Sequence, residues 1–168
     1  MTTKAYDMIS DYYGEKCQER SGVPLINHID EGLIILEEFY MADDYVKDAF
    51  CIHPMLQGDD SFCENHKFPG FSEVHHASII LAMEYRRVAN SYLPKQTRKY
   101  GDHVSVGPSS LVNMMLVADK IQNCKDFSRN KGLYPNAPQL EIYFDNWLNA
   151  LGISERLKAY LIEVIEEG

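Results

Sequence analysis

Apolar side chains recur at helical spacing along most of this chain, and this periodicity limits most strongly the folds that it can adopt. In the clearest segment, apolar residues stand at positions i, i+3, i+4, i+7 and i+10, as Leu111, Met114, Met115, Ala118 and Ile121. The period-two alternation that is typical of strands is weak, and β-branched residues are scattered among good helix formers. We therefore predict an all-α fold.

Proline, glycine and helix-capping residues divide this pattern into about seven helices. Asp43-Asp44 is suited to one helix N-terminus, Ser72 to another, and Pro108-Ser109-Ser110 to a third. Pro54 and the polar residues after it are expected to end one helix, and Gly152 separates the last two. The helices whose limits the pattern indicates best cover residues 3–20, 72–92, 140–151 and 154–167.

Length and charge bound the class of protein. Since 168 residues is an ordinary length for one domain, we expect a single domain over residues 1–168, with 138–168 as a C-terminal helical pair. The 16 Lys and Arg against 25 Asp and Glu give a net charge of −9, which repels phosphate backbones and argues against bulk nucleic-acid binding. No apolar run could cross a bilayer and no signal peptide is evident, so we expect a cytoplasmic protein without membrane contact. The 4 cysteines lack metal-finger spacing and are expected to be reduced, and homo-oligomerisation is left open.

Three polar residues stand beside or within segments that should be buried. His28 precedes one apolar stripe, His53 closes another, and Asp119 directly follows the apolar run 114–118. A buried carboxylate without a partner costs several kcal/mol, so Asp119 should face a cation, a helix cap or a metal. Two histidines and an aspartate on three packed helices can hold zinc or another transition metal. The alternative is that the histidines are ordinary core or surface residues.

Three segments of the chain carry polar residues in an ordered set. They are residues 20–28 (Arg-Ser-Gly-Val-Pro-Leu-Ile-Asn-His), 49–53 (Ala-Phe-Cys-Ile-His) and 117–123 (Val-Ala-Asp-Lys-Ile-Gln-Asn). In order and spacing, over about residues 1–127, this set resembles the HD-domain metal-dependent phosphohydrolases. The pattern is most similar to the (p)ppGpp hydrolase branch of RelA/SpoT-type proteins. The resemblance implies an HD-like helical domain.

The resemblance also implies roles for individual residues. By position, His28, His53 and Asp119 would be the metal ligands, and the cofactor would be a divalent ion such as Mn, Fe or Zn. Lys120 would be the basic residue near a nucleotide, and Asn123 would be a substrate-side amide. The residues alone leave two alternatives open: a surface lysine whose stem covers apolar neighbours, and an asparagine in a helix-end hydrogen bond.

The chain departs from the family pattern directly after His53. Pro54 stands in place of the aspartate that gives the HD family its name, and proline offers no electron pair to a metal. The family's catalytic Glu-Asp pair is not matched in place either. Asp59 and Asp60, one or two positions late, are the expected substitutes that orient or deprotonate a water, with Asp30 as a weaker one. The alternative is that these acidic side chains are simply solvated.

A second concentration of polar groups lies on a later helix. Arg86 and Arg87 offer planar guanidinium groups that suit phosphate, and Tyr85 could stack on a base. We expect them to form a phosphate-facing wall with the basic stretch Lys-Gln-Thr-Arg-Lys that follows. The alternative is that the arginines form internal ion pairs to Glu73 or Glu84.

These observations predict a small phosphorylated ligand, most simply a nucleotide. The first function is a metal-dependent hydrolase of a nucleotide or another small phosphoester. The second is a catalytically degenerate HD-like protein that binds or sequesters a nucleotide or signalling molecule, and Pro54 favours it. A third, a protein-binding helical domain, rests only on the acidic surface and on aromatic residues such as Tyr143, Phe144 and Trp147. The helical spacing of those three places them more simply in the core.

Overall fold

A computed structural model describes residues 3–58, 64–97, 99 and 101–167. Within these ranges the chain forms seven α-helices and no strand, which confirms the predicted all-α fold. The helices are α1 (Lys4–Tyr13), α2 (Asn27–Ile34), α3 (Asp44–Leu56), α4 (His76–Ala89), α5 (Ser110–Arg129), α6 (Ala137–Ala150) and α7 (Glu155–Glu167). A single π-turn, Ile35–Phe39, extends α2.

α5 is the centre of the fold. It packs against α2, α4, α6 and α7, while α3 packs mainly against α1 and α4. Buried apolar side chains from all seven helices form one core. α5 is buried on nearly every face between Val112 and Phe127, although charged residues stand among its apolar ones. Charges on such a helix must find partners, because a buried unpaired charge is strongly destabilising.

Several helix limits differ from the predicted ones for local reasons. α1 ends at Tyr13 rather than near residue 20, because Gly14 has a positive φ of 52° and closes the last turn with a hydrogen bond to Ser10 O. α4 begins at His76, and its N-cap is His75, whose Nδ1 accepts from Ala77 N, rather than Ser72. Ser72 lies in a short 3-10 turn before it.

Two other expectations at helix ends agree with the structure. Ser109 caps α5, because its hydroxyl oxygen accepts a hydrogen bond from Val112 N. Gly152, with φ of 73°, separates the last two helices as predicted. α3 continues through Pro54 for two further residues before it ends at Leu56.

α2 and α3 approach each other closely at Gly32. A Cβ on Gly32 would lie 2.2 Å from two ring atoms of Phe50, far inside the 3.4 Å at which ordinary contact begins. His28 lies one turn before Gly32 on α2, and His53 lies one turn after Phe50 on α3. The missing side chain at Gly32 therefore lets the two helices bring these histidines together.

The segment before α5 is tied to α6 through Asn146. Asn146 is 3% exposed; its Oδ1 accepts from Gly101 N at 2.7 Å, and its Nδ2 donates to Tyr92 Oη at 2.7 Å and to Lys99 O at 3.2 Å. A buried amide thus holds part of the predicted basic loop against the helical core. Arg98 and the side chain of Gln96 lie outside the described residues.

Among the residues that the structure describes, no helix combines the length and the apolar character needed to span a membrane.

Candidate metal centre

Three side chains from α2, α3 and α5 meet at one point. His28 Nε2 lies 3.3 Å from His53 Nε2 and 3.5 Å from Asp119 Oδ1, and His53 Nε2 lies 3.9 Å from the same oxygen. The side chains of His53 and Asp119 are 1% and 6% exposed, and that of His28 is 13% exposed. These are the three residues that the sequence predicted as metal ligands, and the structure brings them into one group that could hold a metal ion.

The hydrogen bonds of His53 determine which of its ring nitrogens carries the proton. His53 Nδ1 lies 2.5 Å from the carbonyl oxygen of Phe50. Because a carbonyl oxygen only accepts, Nδ1 must carry the hydrogen, and Nε2 presents its lone pair to His28 and Asp119. Burial, with His28 nearby, lowers the pKa of His53 from 6.5 to about 3, so the ring is neutral at pH 7, as a metal ligand must be.

Pro54 contributes to this arrangement. In a regular helix the carbonyl of Phe50 would accept the backbone N–H of residue 54, but proline has no N–H. The carbonyl is therefore left for the ring of His53. The residue that removes the expected fourth ligand thus also frees the acceptor that orients the second histidine.

His28 is oriented in the same way by a side-chain carbonyl. Its Nδ1 lies 2.7 Å from Gln122 Oε1. The amide nitrogen of Gln122 donates to Glu31 Oε2 at 3.0 Å and to Asp126 Oδ2 at 2.7 Å. If the amide were flipped, its oxygen would face these two carboxylate oxygens, and no hydrogen bond could form. The amide oxygen of Gln122 therefore faces His28. His28 Nδ1 therefore donates, and in the neutral ring, the form that binds a metal, the Nε2 lone pair faces the cluster.

The three facing atoms are consequently all electron-pair donors. Two imidazole lone pairs and a carboxylate oxygen this close repel each other unless a positive charge stands among them. A tetrahedral ion with bonds of about 2.1 Å separates its ligands by about 3.4 Å, which lies within the range of the observed separations. Three protein ligands leave at least one coordination position open, as in catalytic zinc sites. The donor set and its spacing therefore fit a divalent transition metal.

Asp119 is held in its charged form by the residues around it. Burial acts to raise its pKa, but the charge of Lys120 leads the effects that outweigh burial and lower the pKa from 3.8 to about 2. Lys120 Nζ lies 2.6 Å from Asp119 Oδ2, and Asn123 Nδ2 donates to Asp119 Oδ1 at 2.8 Å. Asp119 therefore offers a fixed carboxylate oxygen to the cluster.

Lys120 is a buried cation rather than a lysine on the surface. It is 5% exposed, and its Nζ lies 5.5 Å from the ring centroid of Tyr143 and 5.3 Å from that of Trp147. Burial acts to lower its pKa, but Asp119 raises it above the usual 10.5. The alternative of a solvent-exposed lysine with a packed stem is therefore wrong, and the buried positive charge is a fixed part of the site.

The cluster opens into a cavity of about 410 Å³. This volume suits a small ligand, since typical ligand pockets are roughly 300–1,000 Å³. All three candidate ligands line it, as do Lys120 and Asn123. The rest of its lining is largely apolar or aromatic and includes Tyr13, Pro54, Leu93, Pro94, Leu140, Tyr143 and Phe144.

The other predicted site residues take different positions. Arg87 pairs with Glu84, with Nη2 2.6 Å from Oε1, which is the alternative expected for it. Arg86 Nε donates to Gly58 O, and Tyr85 is fully buried with its ring centroid 4.7 Å from that of His53. None of these three is part of the described lining of the cavity, and phosphate binding by the arginines and base stacking by Tyr85 stay predictions.

Two of the three acidic residues that were predicted to act on a water fall outside the described part of the chain. Asp59 and Asp60, the expected catalytic residues, lie outside the described residues. Asp30, the weaker substitute, accepts a hydrogen bond of 2.6 Å from the Tyr6 hydroxyl on α1. The part of the site that would orient a water is thus still a prediction.

The sequence reasoning did not single out Gln122 or its partners. Gln122 and Asp126 follow Asp119 by three and seven residues, and Glu31 follows His28 by three. Such spacings place side chains on the same helix face as the candidate ligands. A search at helical intervals from each predicted ligand would have found them.

Comparison of the chain with protein-family models, with curated proteins and with solved structures finds no match in any of the three. The resemblance to the HD-domain phosphohydrolases therefore rests on the ordered motifs alone. The clustering of three possible metal ligands stands independently of the resemblance, because it follows from the contacts of His28, His53 and Asp119.

Proposed function

We propose that this protein is a metal-dependent hydrolase of a small phosphoester. The observation that carries the proposal is the convergence of two imidazole lone pairs and one carboxylate oxygen at the wall of a ligand-sized cavity. A divalent ion bound there supplies Lewis-acid chemistry, since it polarises a phosphorus–oxygen bond and acidifies a water.

The charge of the site favours an anionic substrate. Asp119 contributes one negative charge to the described lining and Lys120 one positive charge, so these two cancel. The described lining would then leave the positive charge of a divalent ion uncompensated, and this charge would attract a phosphate group. Asn123 is half-buried in the same wall, where an amide can contact a substrate oxygen.

The apolar part of the cavity indicates that the substrate is more than inorganic phosphate. Tyr143 and Phe144 on α6 line the same cavity as the ligand cluster, together with Leu140. Aromatic side chains of this kind bury the flat or apolar part of a ligand and stack on rings. A nucleotide combines such a part with a phosphate, and it is the substrate class that we propose first.

In the proposed reaction, water adds to phosphorus, the phosphorus–oxygen ester bond breaks, and an alcohol and a phosphate leave. His28, His53 and Asp119 hold their electron pairs in place for the metal, and the neighbouring Lys120 keeps Asp119 ionised. Asp59 or Asp60 is the proposed group that orients or deprotonates the water.

A second candidate is a protein that binds a phosphorylated ligand without hydrolysing it. Pro54 favours this function, because it lines the cavity at the position where the resembling family has a fourth metal ligand. The fold, the cavity and a metal contact to phosphate would all remain in such a protein, and only turnover would be lost.

Phosphate release separates the two candidates. Purified protein, loaded in turn with Mn²⁺, Fe²⁺ and Zn²⁺, would be assayed with nucleoside mono-, di- and triphosphates, guanosine bis-diphosphate and p-nitrophenyl phosphate. We expect metal-dependent phosphate release that is lost in Asp119→Asn. Asp11→Asn, which removes the same charge at an exposed position of α1, is the matched control and should behave like the parent.

Absence of release from every ester would contradict the hydrolase. Titration calorimetry would then measure whether the protein binds the same nucleotides without hydrolysing them. Metal-dependent binding without turnover would support a binding protein, whereas neither binding nor turnover would contradict both functions.

A further inference from the structure

Gln122 connects the metal cluster to a buried group of charges. It is 0% exposed and lies on α5 between His28 on α2 and Asp126, which is one turn further along α5. All the hydrogen-bonding capacity of its amide nitrogen is used by Glu31 and Asp126. Its oxygen faces His28 Nδ1 at 2.7 Å. A fully buried amide with every N–H engaged has one orientation.

Lys125 keeps the two carboxylates in their places. Its Nζ lies 2.5 Å from Glu31 Oε1 and 3.0 Å from Asp126 Oδ1, and its side chain is 4% exposed. The lysine offsets one of the two negative charges, and it draws both carboxylates to one side of Gln122. The other oxygen of each carboxylate is left to accept from the amide nitrogen.

We propose that Gln122 is a positioning residue of the metal centre: its amide oxygen fixes the His28 tautomer and ring orientation that direct Nε2 at the metal. This inference rests on the metal centre of the proposed function and deepens it. Outer partners of metal-binding histidines keep the ring in its coordinating tautomer, and in known metal sites their loss lowers metal affinity by roughly 10–100-fold. Gln122 is the second such partner here, beside the Phe50 carbonyl that orients His53.

The proposal differs from a purely structural role for Gln122 in what it predicts for the imidazole. In the metal-free protein, long-range ¹⁵N–¹H correlation spectra report directly which nitrogen of His28 carries the hydrogen. We expect Nδ1–H in the parent. Methionine has a side chain of similar length whose thioether is only a weak acceptor, so in Gln122→Met the Nδ1–H tautomer should lose its dominance.

Metal affinity is the second readout. Competition with a chromophoric zinc chelator gives the Zn²⁺ dissociation constant, and we expect it to rise by roughly 10–100-fold in Gln122→Met. Gln139→Met is the matched control. That amide also donates two hydrogen bonds, to Pro94 O and Thr97 O, and neither of these bonds involves a histidine. Its Zn²⁺ affinity should stay within about threefold of the parent, a difference of about 0.7 kcal/mol.

An exchange of donor and acceptor tests the same contact without losing it. Gln122→Glu alone places a third carboxylate next to those of Glu31 and Asp126. Because like charges repel, this variant should lose both folding stability and metal affinity. Gln122→Glu combined with Glu31→Gln and Asp126→Asn places an amide donor in each of these two contacts, while an oxygen of residue 122 still accepts from His28. We expect the combined variant to recover the Nδ1–H tautomer and most of the Zn²⁺ affinity. This variant keeps the test valid if Gln122→Met fails to fold.

The outcomes separate this inference from the proposed function. A parent protein that binds none of the metals contradicts the metal centre itself. A parent that binds Zn²⁺ while Gln122→Met binds it equally well contradicts only the positioning role of Gln122. An Nε2–H tautomer of His28 in the metal-free parent would also overturn it.

Discussion

Replacement of Gly32 by alanine tests whether the contact of α2 with α3 supports the metal centre. The added Cβ would lie 2.2 Å from two ring atoms of Phe50, so the ring would have to retreat by about 1.2 Å to reach the 3.4 Å of ordinary contact. Phe50 is 0% exposed, and its ring centroid lies 4.8 Å from that of His53 and 5.7 Å from that of His28. The ring therefore cannot move without disturbing both histidines.

The expected loss of stability follows from two opposed effects. Forcing a group into a tightly packed core costs about 3 kcal/mol at the upper end of the usual range. Alanine in a helix interior is favoured over glycine by roughly 1 kcal/mol. Gly32→Ala should therefore lower the free energy of unfolding by about 2 kcal/mol. It should also weaken Zn²⁺ binding by the molecules that stay folded.

Urea denaturation followed by circular dichroism measures this change. Gly132→Ala is the control, because a Cβ at Gly132 would meet nothing within 4 Å. Its free energy of unfolding should stay within about 0.5 kcal/mol of the parent. In a Phe50→Leu background, which shortens the obstructing side chain, the penalty of Gly32→Ala should shrink. If Gly32→Ala is as stable as the parent, or if Phe50→Leu does not reduce its cost, the reasoning is refuted.

Two further predictions concern hydrogen bonds away from the metal centre. Asn146→Ala should lower the free energy of unfolding by roughly 1–3 kcal/mol and speed amide exchange at Gly101, which hydrogen-exchange mass spectrometry would detect; unchanged exchange would contradict the anchoring role of this amide. The hydrogen bond to Asp30, with burial, raises the pKa of Tyr6 from 10.0 to about 12. Because the pKa of Tyr6 is higher in the folded than in the unfolded protein, this hydroxyl stabilises the fold below pH 10, and the contribution is lost as pH rises through about 12. In urea titrations, the stability advantage of the parent over Tyr6→Phe should therefore shrink between pH 10 and about 12. An advantage that stays constant would show that the phenol and the carboxylate are not coupled.

The number of helices in the described part of the chain could be predicted because the signals for helix formation are local. Apolar periodicity and capping residues lie within the segment that they describe, as at Ser109 before α5 and Gly152 after α6. The first and last residues of a helix were harder to predict where a contact with a distant part of the chain determines them. Residues beyond Gly14 leave the helical path, and Cys17 pairs with Pro24 in an isolated antiparallel bridge. Composition alone does not predict such a contact.

The site shows the same division between local and long-range information. His28, His53 and Asp119 could be found because they are polar residues beside apolar helical segments in a motif-like order. The burial of Lys120 depends on α6, whose aromatic rings cover its ammonium group. The role of Gln122 depends on Glu31, which is 91 residues away in the sequence.

Pro54 shows how a local interpretation can be incomplete. In the sequence it stands where the resemblance predicts a fourth metal ligand. In the structure it also leaves the Phe50 carbonyl without a helical donor, and the ring of His53 takes that place at 2.5 Å. The physical consequence of this proline needed the geometry of the helix end, which the residue type alone does not provide.

The metal content of the protein tests the central claim most directly. Protein purified without chelator, and again after incubation with Mn²⁺, Fe²⁺ or Zn²⁺ and removal of excess ion, would be analysed by inductively coupled plasma mass spectrometry beside Asp119→Asn and Asp11→Asn. We predict close to one equivalent of a transition metal in the parent and in Asp11→Asn, and little in Asp119→Asn with its helicity intact. A parent that retains no metal under any of these conditions, or an Asp119→Asn variant with unchanged metal content, would contradict the assignment of this centre.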